Sequence, residues 1–329
     1  MADAKIIGTG VYVPERIVTN AELSRNLGVD IDEFVSTIVG IKERRIAAEN
    51  ESTADLATAA SANALADAGI TAADLDLILL ATDTPEYISP ATSVVVQQRI
   101  GATNAGTFDI NSACAGFVTT LDAAFKYIIA DDSYKNVLAI GCYAMSKFID
   151  WKDKKTSTLF ADGAGAVVIK AVDDETHFLA SKLVADGNYH NYMGIFAGGT
   201  REPITSAVLE ANNNNRLRFA QKYPPEVNII GWPKIVNDVL EKAGLSLDEV
   251  DMFLWTQVNL STIKIVMQEM NLPEHKTHTI MQKWGYTGSA CIPMVLHDAI
   301  EEGKIKRGDK IVFCASGGGL NMACLAMKY

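Results

Sequence analysis

The chain carries two copies of one long unit, and that duplication limits its fold more than any other feature. Residues 65–84 read LADAGITAADLDLILLATDT, and residues 240–259, 175 positions later, read LEKAGLSLDEVDMFLWTQVN. Each describes a helix end closed by Ala-Gly, an acidic turn, and an aspartate entering an apolar strand. Ser112-Ala113-Cys114 is answered 177 positions on by Ser289-Ala290-Cys291. After each come a helix and a further apolar strand, at residues 136–142 and 310–315. Such a long unit exceeds the ~20–50-residue period of solenoids. It implies two similar halves packed together, bounded here as 1–171 and 172–329.

The strands are unbroken apolar runs: Leu77-Ile78-Leu79-Leu80, Val137-Leu138-Ala139-Ile140, Ala166-Val167-Val168-Ile169 and Ile311-Val312-Phe313. Runs without alternation suit strands buried on both faces between helix layers. Helices expected over 54–68 and 233–243 alternate with them, which makes the class α/β. Residues 198–225 stand apart, with Asn212 to Asn215 in a row and Pro224-Pro225 closing the stretch. They read as a flap or insertion between the halves, more a solvated loop than the border of a substrate mouth.

The formal net charge is −11, with no run of Lys or Arg. Neither nucleic acid nor an anionic membrane is an expected partner. No stretch reads as a membrane span, and the opening residues show no signal-peptide pattern. Five cysteines, scattered and without a CxxC pair, argue against a disulfide framework or a zinc site. A cytoplasmic, reducing setting is expected.

Chemistry concentrates at Cys114, in DINSACAGF. A strand over 105–110 runs into a small-residue turn and a helix over 114–129. A thiol in a first helical turn meets exposed N–H groups and the positive end of the macrodipole, which lowers its pKa. That environment suits a nucleophile. The competing reading is a small buried hydrophobe where strand meets helix.

Six ordered motifs carry a family resemblance: KIIGTGVYVPERIVTN from Lys5, GIKERRIA from Gly40, DINSACAGF, FADGAGAVV from Phe160, ADGNY from Ala185 and the glycines from Gly317. Over residues 5–328 the chain resembles β-ketoacyl-acyl-carrier-protein synthase III of the thiolase superfamily. The resemblance implies a five-layer αβαβα fold, a homodimer and an acyl-enzyme on Cys114. It assigns the oxyanion donors to the backbone N–H groups of Cys114 and Gly318. No bound cofactor is implied, because acyl-CoA or an acyl-carrier thioester is the substrate.

The chain also departs from that family. The family's histidine falls on Thr256 in WTQVN, and its asparagine falls on Tyr286 in GYTGSA. Around a coenzyme A adenine the family's tryptophan and arginines become Phe34, Ile38 and Lys154. Residues that would dock an acidic carrier protein become Glu226, Ser261, Gln268 and Glu269, which leaves the carrier protein an uncertain partner. Ser89 takes the place of a large aromatic at the far end of the acyl pocket. All five histidines read as solvated. Cys314 lies one residue off the position of a thiolase's second cysteine, so a thiolase is set aside.

Three functions fit this pattern. The first is an acyltransferase that loads Cys114 and passes the acyl group to a thiol, amine or hydroxyl. The second is a condensing 3-oxoacyl synthase with Thr256, Tyr286 and Asn259 around the thioester carbonyl. The third is a non-catalytic partner subunit of a heteromeric synthase.

Overall fold

The computed structural model describes residues 3–211 and 215–329. The apolar runs form two sheets. The first uses β1 (Asp3–Tyr12), β2 (Leu77–Ala81), β3 (Gly106–Ile110), β4 (Asn136–Ala144) and β5 (Asp162–Val172), in the order β1-β5-β4-β2-β3. The second uses β6 (Phe178–Ala185), β7 (Met252–Trp255), β8 (Lys310–Gly317) and β9 (Asn321–Lys328), in the order β7-β8-β9-β6. Each sheet runs from parallel strands into two antiparallel ones. In the second half the place of β3 is held by one parallel bridge, Phe253 to Thr277.

Helices α1 (Thr53–Ala68) and α2 (Thr92–Ile100) cover the outer face of the first sheet. Helices α4 (Glu226–Ala243) and α5 (Leu260–Glu269) cover the outer face of the second. Between the sheets run α3 (Gly116–Ala130) and α6 (Cys291–Glu301). The result is the five-layer αβαβα stack of the thiolase-like fold. Strand alternation divides the burial: Ile78 and Leu80 face the outer cluster under α1, while Leu77 and Leu79 face the central layer.

The repeat is visible down to single hydrogen bonds. α1 and α4 both end on a left-handed glycine, Gly69 at φ 66° and Gly244 at φ 68°, where a side chain would be strained. The acidic turns that follow are capping boxes, with Thr71 donating to Asp74 at 2.7 Å and Ser246 to Glu249 at 3.0 Å. Asp76 then accepts the Asn136 N–H at 2.8 Å, and Asp251 accepts the Lys310 N–H at 2.8 Å. Each aspartate thereby aligns its strand with the neighbouring parallel one.

Several sequence expectations shift. Cys114 precedes α3, in a tight 3₁₀ turn over Ala113–Ala115. α4 begins at Glu226, and Pro233 lies inside it. Ala113–Ala130 is long and apolar enough to cross a membrane, contrary to the sequence reading, yet it runs mostly buried between the sheets. The 198–225 stretch is no plain solvated loop. It contains a short helix, Ser206–Ala211, and a strand, Arg218–Phe219, that pairs with Met193–Gly194 just before the stretch. Asn212 to Asn214 lie outside the described residues.

Candidate active site

The nucleophile's position follows from the register of the first sheet. β3 delivers the chain at Ile110, beside Ala81 of β2, and the turn that follows carries Cys114 beneath the N-terminus of α3. Ala113 takes φ 48°, an unusual conformation for a side-chain-bearing residue. A glycine turn closes on this elbow from the second half. A Cβ on Gly317 would lie 2.3 Å from the Ser112 carbonyl oxygen and 2.8 Å from the Cys114 nitrogen, so only glycine fits.

Cys114 is 3% exposed and lines a cavity of about 320 Å³ with Tyr286, Gly318, Asn259, Phe219 and Tyr223. An adjacent cavity of about 760 Å³ shares Phe219, Tyr223 and Asn259 as walls and adds Phe34, Lys154 and Lys222. Phe34 and Lys154, linked from sequence to a coenzyme's adenine, do line one space. Ile38 is exposed and lines neither cavity. Ser89 sits on an exposed loop with Tyr87 and Ile88, outside both cavities of the single chain.

The electrostatics reverse one expectation. Burial pushes the Cys114 thiol well above its ordinary range, and the nearby Asp83 carboxylate adds to the rise. The Tyr286 hydroxyl and the residue's own N–H act the other way, by hydrogen bonding that favours the thiolate. Desolvation outweighs the helix-terminus effect on which the sequence reading relied. Tyr286 is itself buried, its ring 5.5 Å from that of Phe160.

Thr256 does not reach the cavity. Its hydroxyl accepts the Ser316 N–H at 2.9 Å, so it braces the approach to the glycine turn from behind. Asn259 is a wall residue, but its carboxamide oxygen caps α5, accepting the Ser261 N–H at 2.9 Å and the Ser261 hydroxyl at 2.7 Å. Gly318 lies on the cavity wall beside Cys114.

No histidine lines either cavity. Three of the five are not solvated, against expectation. His278 is buried, 2.7 Å from Asp298 and 3.0 Å from Lys304. His177 is buried against the Lys328 carbonyl, and half-buried His297 meets the Thr9 hydroxyl at 2.8 Å. These contacts are structural, and each lies away from Cys114.

Sequence reasoning missed the charge that Asp83 exerts on Cys114 and the wall supplied by Phe219 and Tyr223. Tyr223 accepts the Gly319 N–H through its hydroxyl at 3.4 Å. The signal for Asp83 was available: a lone acid two residues past a wholly apolar strand that ends beside the strand leading to Cys114.

Known proteins answer to this arrangement. The family 3-oxoacyl-[acyl-carrier-protein] synthase III matches residues 108–187, and its C-terminal counterpart matches residues 240–329. The β-ketoacyl-[acyl-carrier-protein] synthase III of Aquifex aeolicus is 38% identical over 325 residues, covering 99% of each chain. The solved structure of 3-oxoacyl-[acyl-carrier-protein] synthase III from Aquifex aeolicus VF5 superposes with a TM-score of 0.89, covering 99% of this chain and 100% of the other. The priming β-ketosynthase of the R1128 polyketide pathway, 27% identical, gives 0.90 over 99% and 96% of the two chains. With likeness running the whole length of both halves, the chain belongs to the 3-oxoacyl-[acyl-carrier-protein] synthase III family of acyl-transferring condensing enzymes.

Proposed function

We propose that this enzyme loads an acyl group onto Cys114 from a thioester and passes it on to a thiol, amine or hydroxyl without decarboxylation. The observation that carries the reading is a buried cysteine at a glycine turn, in a cavity whose walls include a tyrosine and no histidine. The sulfur attacks the thioester carbonyl carbon, and the Cys114 and Gly318 N–H groups receive the oxyanion. Collapse expels the donor thiol, which departs with the proton that Cys114 gave up. The acceptor then attacks the acyl-enzyme and returns a proton to the sulfur. The exchange is proton-neutral overall, which suits a thiol that burial keeps protonated at rest. The larger cavity, with Phe34 and three lysines on its walls, suits the arm of a coenzyme A thioester. A homodimer is proposed on the family likeness.

Intact mass after exposure to a panel of acyl-thioesters tests this. The expected result is one acyl increment, absent in Cys114→Ala. No increment from any donor rejects the reading.

The relatives' names favour a second reading, condensation with a malonyl thioester. In it the Tyr286 hydroxyl and the Asn259 amide would hydrogen-bond the thioester carbonyl, with Thr256 serving only as a brace. Carbon dioxide release that requires an acyl donor and falls in Tyr286→Phe would select this over simple transfer.

A further inference from the structure

Neither reading uses the GIKERRIA motif, whose Arg44 is a fully buried cation and one of the bulkiest side chains enclosed by this fold. Burial pulls its guanidinium down to about 10, so it is still charged at neutral pH. Enclosing a cation is costly unless acceptors held in place meet its donors. Here they are three neutral oxygens: the Val18 carbonyl at 3.1 Å, the Asn20 carboxamide at 2.7 Å and the Thr158 carbonyl at 3.1 Å. A planar guanidinium reaches such acceptors in fixed directions from one point, which an ammonium does not.

Two of these contacts lead to separate walls of the larger cavity. Asn20 is buried, and because Arg44 holds its oxygen, its Nδ2 turns to other partners. It donates to Asp32 Oδ1 at 2.9 Å and to the Ile41 carbonyl at 2.9 Å. Those residues bracket the helical turns Asp32–Phe34 and Val35–Val39, from which Phe34, Val35 and Val39 line the cavity. One carboxamide therefore clasps the Phe34 segment at its start and at its end. The Thr158 limb reaches the lysine wall. The Thr158 hydroxyl donates to the Lys154 carbonyl at 2.7 Å, and Lys154, Thr158 and Leu159 line the same cavity.

We infer that Arg44 is a positioning residue for the donor: it sets the Phe34 wall against the Lys154 wall, so that the nucleotide end of a coenzyme A thioester meets both in one geometry. The inference rests on the acyl-enzyme reading and deepens it by naming what favours the coenzyme form of the donor over the bare thioester. Arg44 itself lines neither cavity, so its action is indirect. Walls fixed in advance remove the ordering cost that two loose segments would add to binding. A Cβ on Gly285, the residue before Tyr286, would lie 2.7 Å from the Arg44 Cβ. Arg44→Lys keeps that packing and the charge but loses the fork.

Two thioesters of one acyl group test it on the full-length protein. They are the coenzyme A thioester and the N-acetylcysteamine thioester, which has the same reacting end and no nucleotide. The readout is the rate of Cys114 adduct formation by intact mass at several donor concentrations, expressed as the ratio of coenzyme A to N-acetylcysteamine loading. Asn20→Asp keeps an oxygen for Arg44 but sets acid against acid at Asp32. It should lower the ratio about tenfold, by raising the half-saturating coenzyme A concentration more than it lowers the saturated rate. Arg44→Lys should act in the same way. Exchanging the pair, Asn20→Asp with Asp32→Asn, again faces a donor with an acceptor and should recover much of the loss. Should Arg44→Lys not fold, Asp32→Ala, at an exposed residue, opens one clasp alone and should lower the ratio several-fold.

A merely structural defect would slow both donors alike. Equal falls, a ratio near one in the natural protein, an unmoved ratio in the folded variants or no recovery in the exchange would overturn the inference and leave the acyl-enzyme standing. If neither thioester gives an adduct while iodoacetamide still alkylates Cys114, the acyl-enzyme reading fails and takes this inference with it.

Discussion

Cys114 sits between opposing influences, and single substitutions should separate them. Removing the Tyr286 hydroxyl takes away a hydrogen bond that favours the thiolate. Tyr286→Phe should shift the pH profile of iodoacetamide alkylation upward and slow the reaction several-fold at pH about 8. An unshifted profile would mean that the hydroxyl does not engage the sulfur. Asp83→Asn should move the profile down, and it carries a stability signature of its own. The Asp83 carboxyl is raised from 3.8 to about 6 in the fold. The native state therefore holds more protons than the unfolded chain between those values, and stability falls as pH rises through that window. Above it the penalty is ~3 kcal/mol at most. Asp83→Asn should unfold at higher urea than the natural protein at pH 7.5, with the gap closing by pH about 4. An equal gap at both pH values would show that the carboxyl carries no such charge penalty. None of this was legible from residue types. The sequence offers a cysteine near a helix start, whereas the direction of its pKa depends on how deeply the second half buries it.

At the scale of elements, the repeat was the most readable feature, because its signals are local. Ala-Gly at a helix end, Thr or Ser three residues before an acid, and an aspartate at a strand entry each specify their own geometry. Both halves realise all three. The functional walls were not readable, because they arise from non-local packing. Phe219 and Tyr223 come from a stretch whose asparagines and prolines read as solvated, yet Leu217 is buried and its N–H reaches the Phe148 carbonyl at 2.8 Å. Thr256 was assigned by its place in a motif, while its hydroxyl is spent on the Ser316 N–H. The contact between the halves at Gly317 is the element on which the site depends. Gly317→Ala puts a methyl group against the Ser112 carbonyl and the Cys114 nitrogen, where neither backbone can yield cheaply. Acyl loading should fall at least about 10²-fold as the oxyanion donors separate. Circular dichroism should remain native and the melting temperature should drop, since overpacking costs ~1–3 kcal/mol. Full loading by Gly317→Ala would show that the two halves need not meet there.

Across the whole molecule, charge bears on which donor can approach. The chain carries −11, and the face matching the family's carrier dock presents Glu226 and Glu269 exposed, with Gln268 beside Glu269. The wall of the larger cavity instead presents Lys154, Lys155 and Lys222 against a single Asp30. An acidic carrier protein would meet repulsion over most of its path, whereas the phosphates of coenzyme A would meet attraction at the mouth. Salt screens both beyond ~8–10 Å, so the two donors should respond to it with opposite sign. Between about 0.02 and 0.2 M salt, the second-order rate of Cys114 loading should fall several-fold for an acyl-CoA and rise for the same acyl group on an acidic carrier. Reversing the dock with Glu226→Lys and Glu269→Lys should speed carrier loading and remove its salt-driven rise, with the coenzyme A arm largely unmoved because those residues do not line its cavity. Carrier loading that is fast at low salt, and slows as salt is added, would show that the protein docks a carrier through another face.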